Sequence, residues 1–188
     1  MANDASNVGV GKPKVGGAVY IGTADSPAPT DASTPLDDTF KLFGYISEDG
    51  VTISEERDSE DLKAWGGDTV KTSQTSYKET FAFTPIEVNP VVAAAEYGDD
   101  NVSVEAGKMT IKHNSKELPE LPLVIETVPN SKTVDRFFVP KAKLTEKGDQ
   151  ALNDSDPMGR ECTYTAMPDD EGNTAYEFMT ITGLTPSE

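Results

Sequence analysis

The sequence predicts a mainly β domain, a β-sandwich or barrel-like fold with one short flanking α-helix and one long loop. Three observations carry this. Segments that alternate apolar and polar residues recur along the chain, separated by stretches rich in Gly, Pro and Asp. One stretch, residues 89–98, has the start and stop signals of a helix. No internal repeat and no second domain are found in the 188 residues.

In chain order, residues 1–14 are polar and glycine-containing and read as a flexible N-terminal arm. Residues 15–188 form the single domain. Val15-Gly16-Gly17-Ala18-Val19-Tyr20-Ile21-Gly22 reads as a first strand weakened by its glycines. Residues 26–35 are a Pro, Ala, Ser and Thr loop, and residues 40–47 a strand. Asp49-Gly50, between two alternating runs, is the local signature of a tight hairpin turn. A long polar loop, residues 54–76, follows, with Trp65 before Gly66-Gly67. In the return strand Tyr77, Phe81 and Phe83 alternate with Lys78, Thr80, Ala82 and Thr84.

For the helix, residues 89–97, Asn89 suits the N-cap, Pro90 the first turn and Gly98 the stop. Val91, Ala94 and Ala95, with Val88, give it a small-residue packing side. Residues 101–112 read as one strand or a bent pair, and residues 121–128 as a β-branched strand. Residues 133–139 form a strand that Pro140 is expected to end. Residues 147–159 are a loop. Cys162, Tyr164 and Ala166, then Tyr176 and Phe178, read as the two arms of a last hairpin.

The chain carries 16 Lys and Arg against 33 Asp and Glu, a net charge of −17. An independent DNA-binding protein leans the other way. The ordinary reading of such acidity is solubility. A single cysteine, Cys162, excludes an internal disulfide and is compatible with a reducing cytoplasm. The start, Met1-Ala2-Asn3-Asp4, lacks the basic and apolar regions of a signal peptide, and no apolar run approaches the ~20 residues of a membrane helix. A soluble protein made in a cytoplasm is expected.

No residue supports catalysis. His113 has no Ser, Cys or Asp pattern around it, and Cys162 sits in an alternating strand as a small core residue would. One His and one Cys cannot build a zinc set. Gly9-Val10-Gly11 precedes a strand and lacks G-K-[ST], so it is not a phosphate loop. Asp169-Asp170-Glu171, and Asp154 with Asp156, do not match the spaced calcium loop. No cofactor, metal or enzyme activity is expected.

The ordered pieces resemble the major tail tube proteins of long-tailed, non-contractile bacteriophages. The matching residues are Ser47-Glu48-Asp49-Gly50-Val51-Thr52, the acidic run of residues 55–61, Leu62-Lys63-Ala64-Trp65-Gly66-Gly67-Asp68, Glu79-Thr80-Phe81-Ala82-Phe83-Thr84, the helix from Asn89, Tyr97-Gly98 and Asn101-Val102. The resemblance covers about a third of the chain closely. It implies a virion subunit that closes into six-membered rings, stacked into the tube through which DNA leaves. It implies self-association and contacts with the tape measure, tail terminator and distal tail proteins. DNA would pass the lumen without specific binding, no membrane would be involved, and assembly would occur in the host bacterial cytoplasm.

On that reading, sheets of neighbouring subunits join into a closed barrel, removing exposed edges. The lumen is net negative, and the helix packs on the outer side of the sandwich or on a neighbour. Residues 54–76 are the loop between rings. It carries Glu55, Glu56, Arg57, Asp58, Glu60, Asp61, Leu62 and Asp68, with Trp65 as the aromatic anchor flanked by Gly66 and Gly67. The competing position for Trp65 is its own domain's core. The alternative function is a monomeric β-sandwich binding or adhesin-like module, which would display clustered exposed aromatics.

Overall fold

A computed structural model describes residues 3–15 and 18–183. Gly16 and Gly17 of the expected first strand, and both chain ends, lie outside the described residues. The elements are β1 (Val19–Ile21), β2 (Lys41–Leu42), β3 (Ile46–Lys63), β4 (Thr69–Pro85), α1 (Pro90–Tyr97), β5 (Val102–Glu105), β6 (Lys108–Ile111), β7 (Leu121–Asn130), β8 (Thr133–Lys147), β9 (Cys162–Met167) and β10 (Tyr176–Ile181). The main sheet is antiparallel, in the order β2-β1-β7-β8-β9-β4-β3, with β10 also on β8. The β5–β6 hairpin stands apart as the expected bent pair, turning at Ala106-Gly107 where both residues have positive φ. The domain is therefore mainly β with one helix, and the main sheet is not a closed barrel.

The sheet curls so that strands near its two ends share one core. Val19 and Ile21 of β1, Phe81 and Phe83 of β4, Leu123 and Ile125 of β7, Val139 of β8 and Tyr164 of β9 form a single buried cluster. Phe43, on the short link from β2 to β3, enters it edge-on to Phe83 at 5.2 Å, while Phe83 stacks on Tyr164 at 5.5 Å. A smaller cluster of Phe40, Val124 and Phe138 lies on the opposite face.

The helix forms as its residues dictate. The Asn89 side chain accepts from Val92 N–H at 2.9 Å, and Gly98 closes the last turn with its N–H on the Ala94 carbonyl. Its buried residues are Val92, Ala93, Ala95 and Glu96, with Val91 partly buried beside them, whereas Val88 is exposed. Of the expected packing residues, Ala95 joins the main core and Val91 packs against it, while Ala94 is half-buried and Val92, Ala93 and Glu96 complete the buried side. Glu96 faces inward to Arg160 at 3.2 Å, and Arg160 donates to the Tyr97 hydroxyl, tying the 148–161 loop to α1.

Several expectations are corrected. The strand over 40–47 breaks at Gly44, whose φ of +94° lets the chain turn from β2 into β3. Asp49-Gly50 is not a hairpin tip. It lies inside β3, in a bulge between the pairs Ile46↔Pro85 and Val51↔Phe83, where Gly50 takes φ +71°. Pro140 does not end β8. β10 pairs with Thr133–Phe138 and β9 with Lys141–Lys147, so Pro140 falls in the gap between partners on that edge. On the other edge it falls in a register shift between Leu121 and Leu123, so no ladder bond is lost.

The last two strands are not a hairpin either. β9 and β10 both run antiparallel to β8, end to end along one edge, with residues 168–175 looping out between them. The polar start of the chain is held as well. Val10 N–H donates to the Pro129 carbonyl and Val128 N–H to the Lys12 carbonyl, so residues 10–14 lie along β7.

One buried ion pair fixes the 24–40 segment. Arg136 on β8 stands opposite Glu126 on β7, 1% and 4% exposed, and donates to its carboxylate. The same guanidinium donates to the Asp31 and Thr34 carbonyls, and Lys14 reaches Glu126 from the N-terminal segment at 3.0 Å.

Candidate assembly surface: a hairpin arm with an apolar tip

Residues 54–76 are not a loop. They are the outer part of a hairpin made by β3 and β4, continuing unbroken from the sheet. The sequence explains the return strand: Thr69, Val70, Thr72 and Thr75 are β-branched, and Lys71, Ser73, Gln74 and Ser76 fill the rest without apolar alternation. The pairing runs from Ser54↔Thr80 to Lys63↔Thr69, with register shifts after Asp58 and Leu62. The tip closes with Ala64 N–H on the Asp68 carbonyl and Gly67 N–H on the Ala64 carbonyl, Gly66 and Gly67 having φ of +116° and +97°.

Cross-strand contacts use the polar side chains. The Ser76 hydroxyl donates to Asp58 at 2.7 Å and the Thr72 hydroxyl to Asp61 at 2.6 Å. Arg57 lies over the Tyr77 ring at 4.3 Å and bonds Glu55 on its own strand. At the root, Glu55 faces Glu79, and Glu79 accepts from Thr174 and from the Tyr77 hydroxyl. These exposed polar contacts are individually weak, and a lone two-stranded ribbon is marginal in water.

At ~3.3 Å per residue the ten or so residues from 54 to 63 carry the tip about 30 Å from the body. Both faces of the arm beyond the root are exposed. The tip concentrates apolar surface: Trp65 is 105% exposed, Leu62 62% and Val70 60%. Trp65 therefore does not pack in its own domain's core. The arm brings Glu55, Glu56, Arg57, Asp58, Glu60, Asp61, Leu62, Trp65, Gly66, Gly67 and Asp68 into one projecting element, while Asp49 and Gly50 sit at its base and Val91, Ala94 and Ala95 remain in the body. Val70, Thr72 and Gln74 extend the return strand outward from Tyr77, which the sequence already places in it. The β propensity of Val70 and Thr72 was the available signal, and the absence of an apolar alternation hid it.

Burial, with Glu96 beside it, pushes the Cys162 thiol up to about 12, so it is no nucleophile at neutral pH. His113 is an exposed residue whose ring lies 4.4 Å from that of Tyr97. Burial and the Glu177 carboxylate push Asp135 up to about 6. Among the described residues no three His, Cys, Asp or Glu side chains are grouped to hold a metal. The aromatic row Phe138, Tyr176 and Phe178 is packed against the second core cluster, Phe138 being buried and the other two half-buried.

A family model described as phage tail tube protein matches residues 1–184. Among solved structures, the chain is similar to one from the cryo-EM structure of the anti-feeding prophage cap, with TM-score 0.45 and 10% identity, covering 94% of this chain and 98% of that one. It is also similar to a chain of the sheath-tube complex of an extracellular contractile injection system in its extended state, with TM-score 0.44 and 10% identity, covering 96% and 100%. Comparison with curated proteins gives no match.

Proposed function

This chain belongs to the phage tail tube protein family, a structural component of the virion tail, and from that premise we propose that it closes into six-membered rings that stack into the DNA-conducting tube of a long-tailed, non-contractile phage. The observation that carries the proposal is the projecting arm. It is an extended polar ribbon that cannot bury apolar area within its own chain, yet it ends in a cluster of exposed apolar residues. A neighbouring ring supplies the missing surface. Side by side, the outer edge of β3, which ends the sheet, offers unpaired backbone groups to the next subunit.

In this arrangement Trp65 is the anchor between rings, and the tape measure, terminator and distal tail proteins meet the ends of the stack. The net charge of −17 per chain keeps the lumen wall negative, so DNA phosphates are repelled and slide. Screening confines that repulsion to ~10 Å at 0.1 M salt, so the acids concerned face the channel itself. Subunits assemble in the host bacterial cytoplasm.

Negative-stain microscopy of the purified chain tests the reading. Rings and tubes are expected, and Trp65→Ala is expected to give a folded protein that no longer forms long tubes. A wild-type chain that stays a monomer of 20.1 kDa at high concentration refutes the ring-and-tube reading.

A further inference from the structure

We propose that the receptor for Trp65 of one copy is the apolar pocket beside α1 of another copy. The inference rests on the stacking role proposed above and adds to it the docking site.

The pocket has a volume of about 420 Å³, within the range of sites that hold a drug-sized group. Val91 and Ala94 of α1 line it together with Leu118, Leu121 and Leu144. Tyr164 lines it, 2% exposed, and its hydroxyl is one of three buried side-chain polar atoms left without a hydrogen-bond partner among the described residues. A buried polar group in that state carries a desolvation penalty that a partner would relieve. An indole supplies the match, an apolar body with one N–H donor.

The tip fits this pocket in charge as well. In a chain of net charge −17, residues 62–71 carry Lys63 and Lys71 against Asp68 alone. Neither lysine is in an ion pair among the described residues. The lining includes the exposed Asp99, and the exposed Glu120 follows Pro119 of the lining; both are likewise outside ion pairs among the described residues. Lys41, the cation in the lining, donates to the Asp38 carbonyl. Small residues at Val91 and Ala94 leave room for an aromatic ring. The tip stands about 30 Å out on a paired ribbon, so a second copy, and not the same chain, brings the two together.

Trp65 is the sole tryptophan, so its fluorescence reports the docking directly. Tubes of the full chain are compared with the dissociated protein by emission wavelength and acrylamide quenching. The expected result is a blue shift and a severalfold drop in quenching on assembly. Ala94→Phe, which fills the pocket, and Asp99→Lys, which repels the tip from an exposed site, are each expected to leave the melt of the dissociated protein unchanged. Each is expected to weaken assembly, Ala94→Phe by about thirtyfold, the scale of losing an aromatic anchor. If Ala94→Phe fails to fold, Asp99→Lys decides. Trp65 protected alike in tubes of wild type and of the variants overturns the pocket assignment while leaving the tube function standing. Trp65 fully quenchable in wild-type tubes does the same. Absence of tubes from wild type sinks both.

Discussion

Replacing Asp135 by Asn should stabilise this protein near neutral pH and do nothing in acid. Asp135 lies on β8, 5% exposed, where its Oδ1 has no partner and its Oδ2 receives only a long 3.4 Å bond from the Thr127 hydroxyl on β7. Glu177 on β10 adds like charge, and Glu126 and Glu48 line the same pocket. Burial first, then Glu177, lifts the carboxyl from 3.8 to about 6. The native state thus prefers the protonated form. Stability from this group is fully present below pH ~4 and is lost as pH rises through about 6. The full difference corresponds to about 3 kcal/mol. The side chain borders an open pocket of about 610 Å³, and screening by water there leaves about 1–2 kcal/mol.

Asn keeps the shape and removes the charge. Its carbonyl accepts from Thr127, and its amide turns to the pocket. For a domain of this size, 1–2 kcal/mol is about 2–8 °C in Tm. The assay is thermal melting by circular dichroism of wild type and Asp135→Asn between pH 4 and 8, read as the difference between the two, so that other carboxylates cancel. The difference should be near zero at pH 4 and grow in favour of Asn up to pH 7. A difference that does not change with pH, or an Asn variant less stable at pH 7, refutes the reasoning.

Arg136→Met should cost about 3–5 kcal/mol in chemical denaturation, because Glu126 is left buried with only the half-exposed Lys14, and the 31–34 turn loses two donors. The helix positions should separate. Ala95→Glu places a charge against the core and should cost a few kcal/mol, whereas Ala94→Glu, at the half-exposed pocket wall, should shift the melt far less. Equal losses at both positions would contradict the observed packing side of α1. Cys162 should resist thiol reagents in the native protein at pH 8 and react fully only in denaturant, since burial holds its thiol at about 12. Fast native labelling would place it at the surface.

Sequence and structure divide along the range of the physics involved. What the sequence by itself determined was local. Alternation over 77–84 and the β-branched run over 121–128 appear within β4 and β7, and the Asn89, Pro90 and Gly98 signals delimit α1 to the residue. Those signals are steric and hydrogen-bonding preferences that act within a few residues. Cys162 in an alternating run meant a core side chain for the same reason, since period two sends it to one face.

What only the tertiary structure decided was which segments pair. Asp49-Gly50 carries the same positive-φ preference whether it turns a hairpin or forms a bulge, and the partner residues Phe83 and Pro85 choose the bulge. Pro140 is tolerated because β9 and β10 divide the edge of β8 at that point, a fact about strands more than 20 residues away. The arm was hidden because its two strands have no apolar face to alternate. Their register comes with cross-strand polar pairs such as Asp58 with Ser76, and a pattern of burial cannot report a segment whose two faces are both exposed.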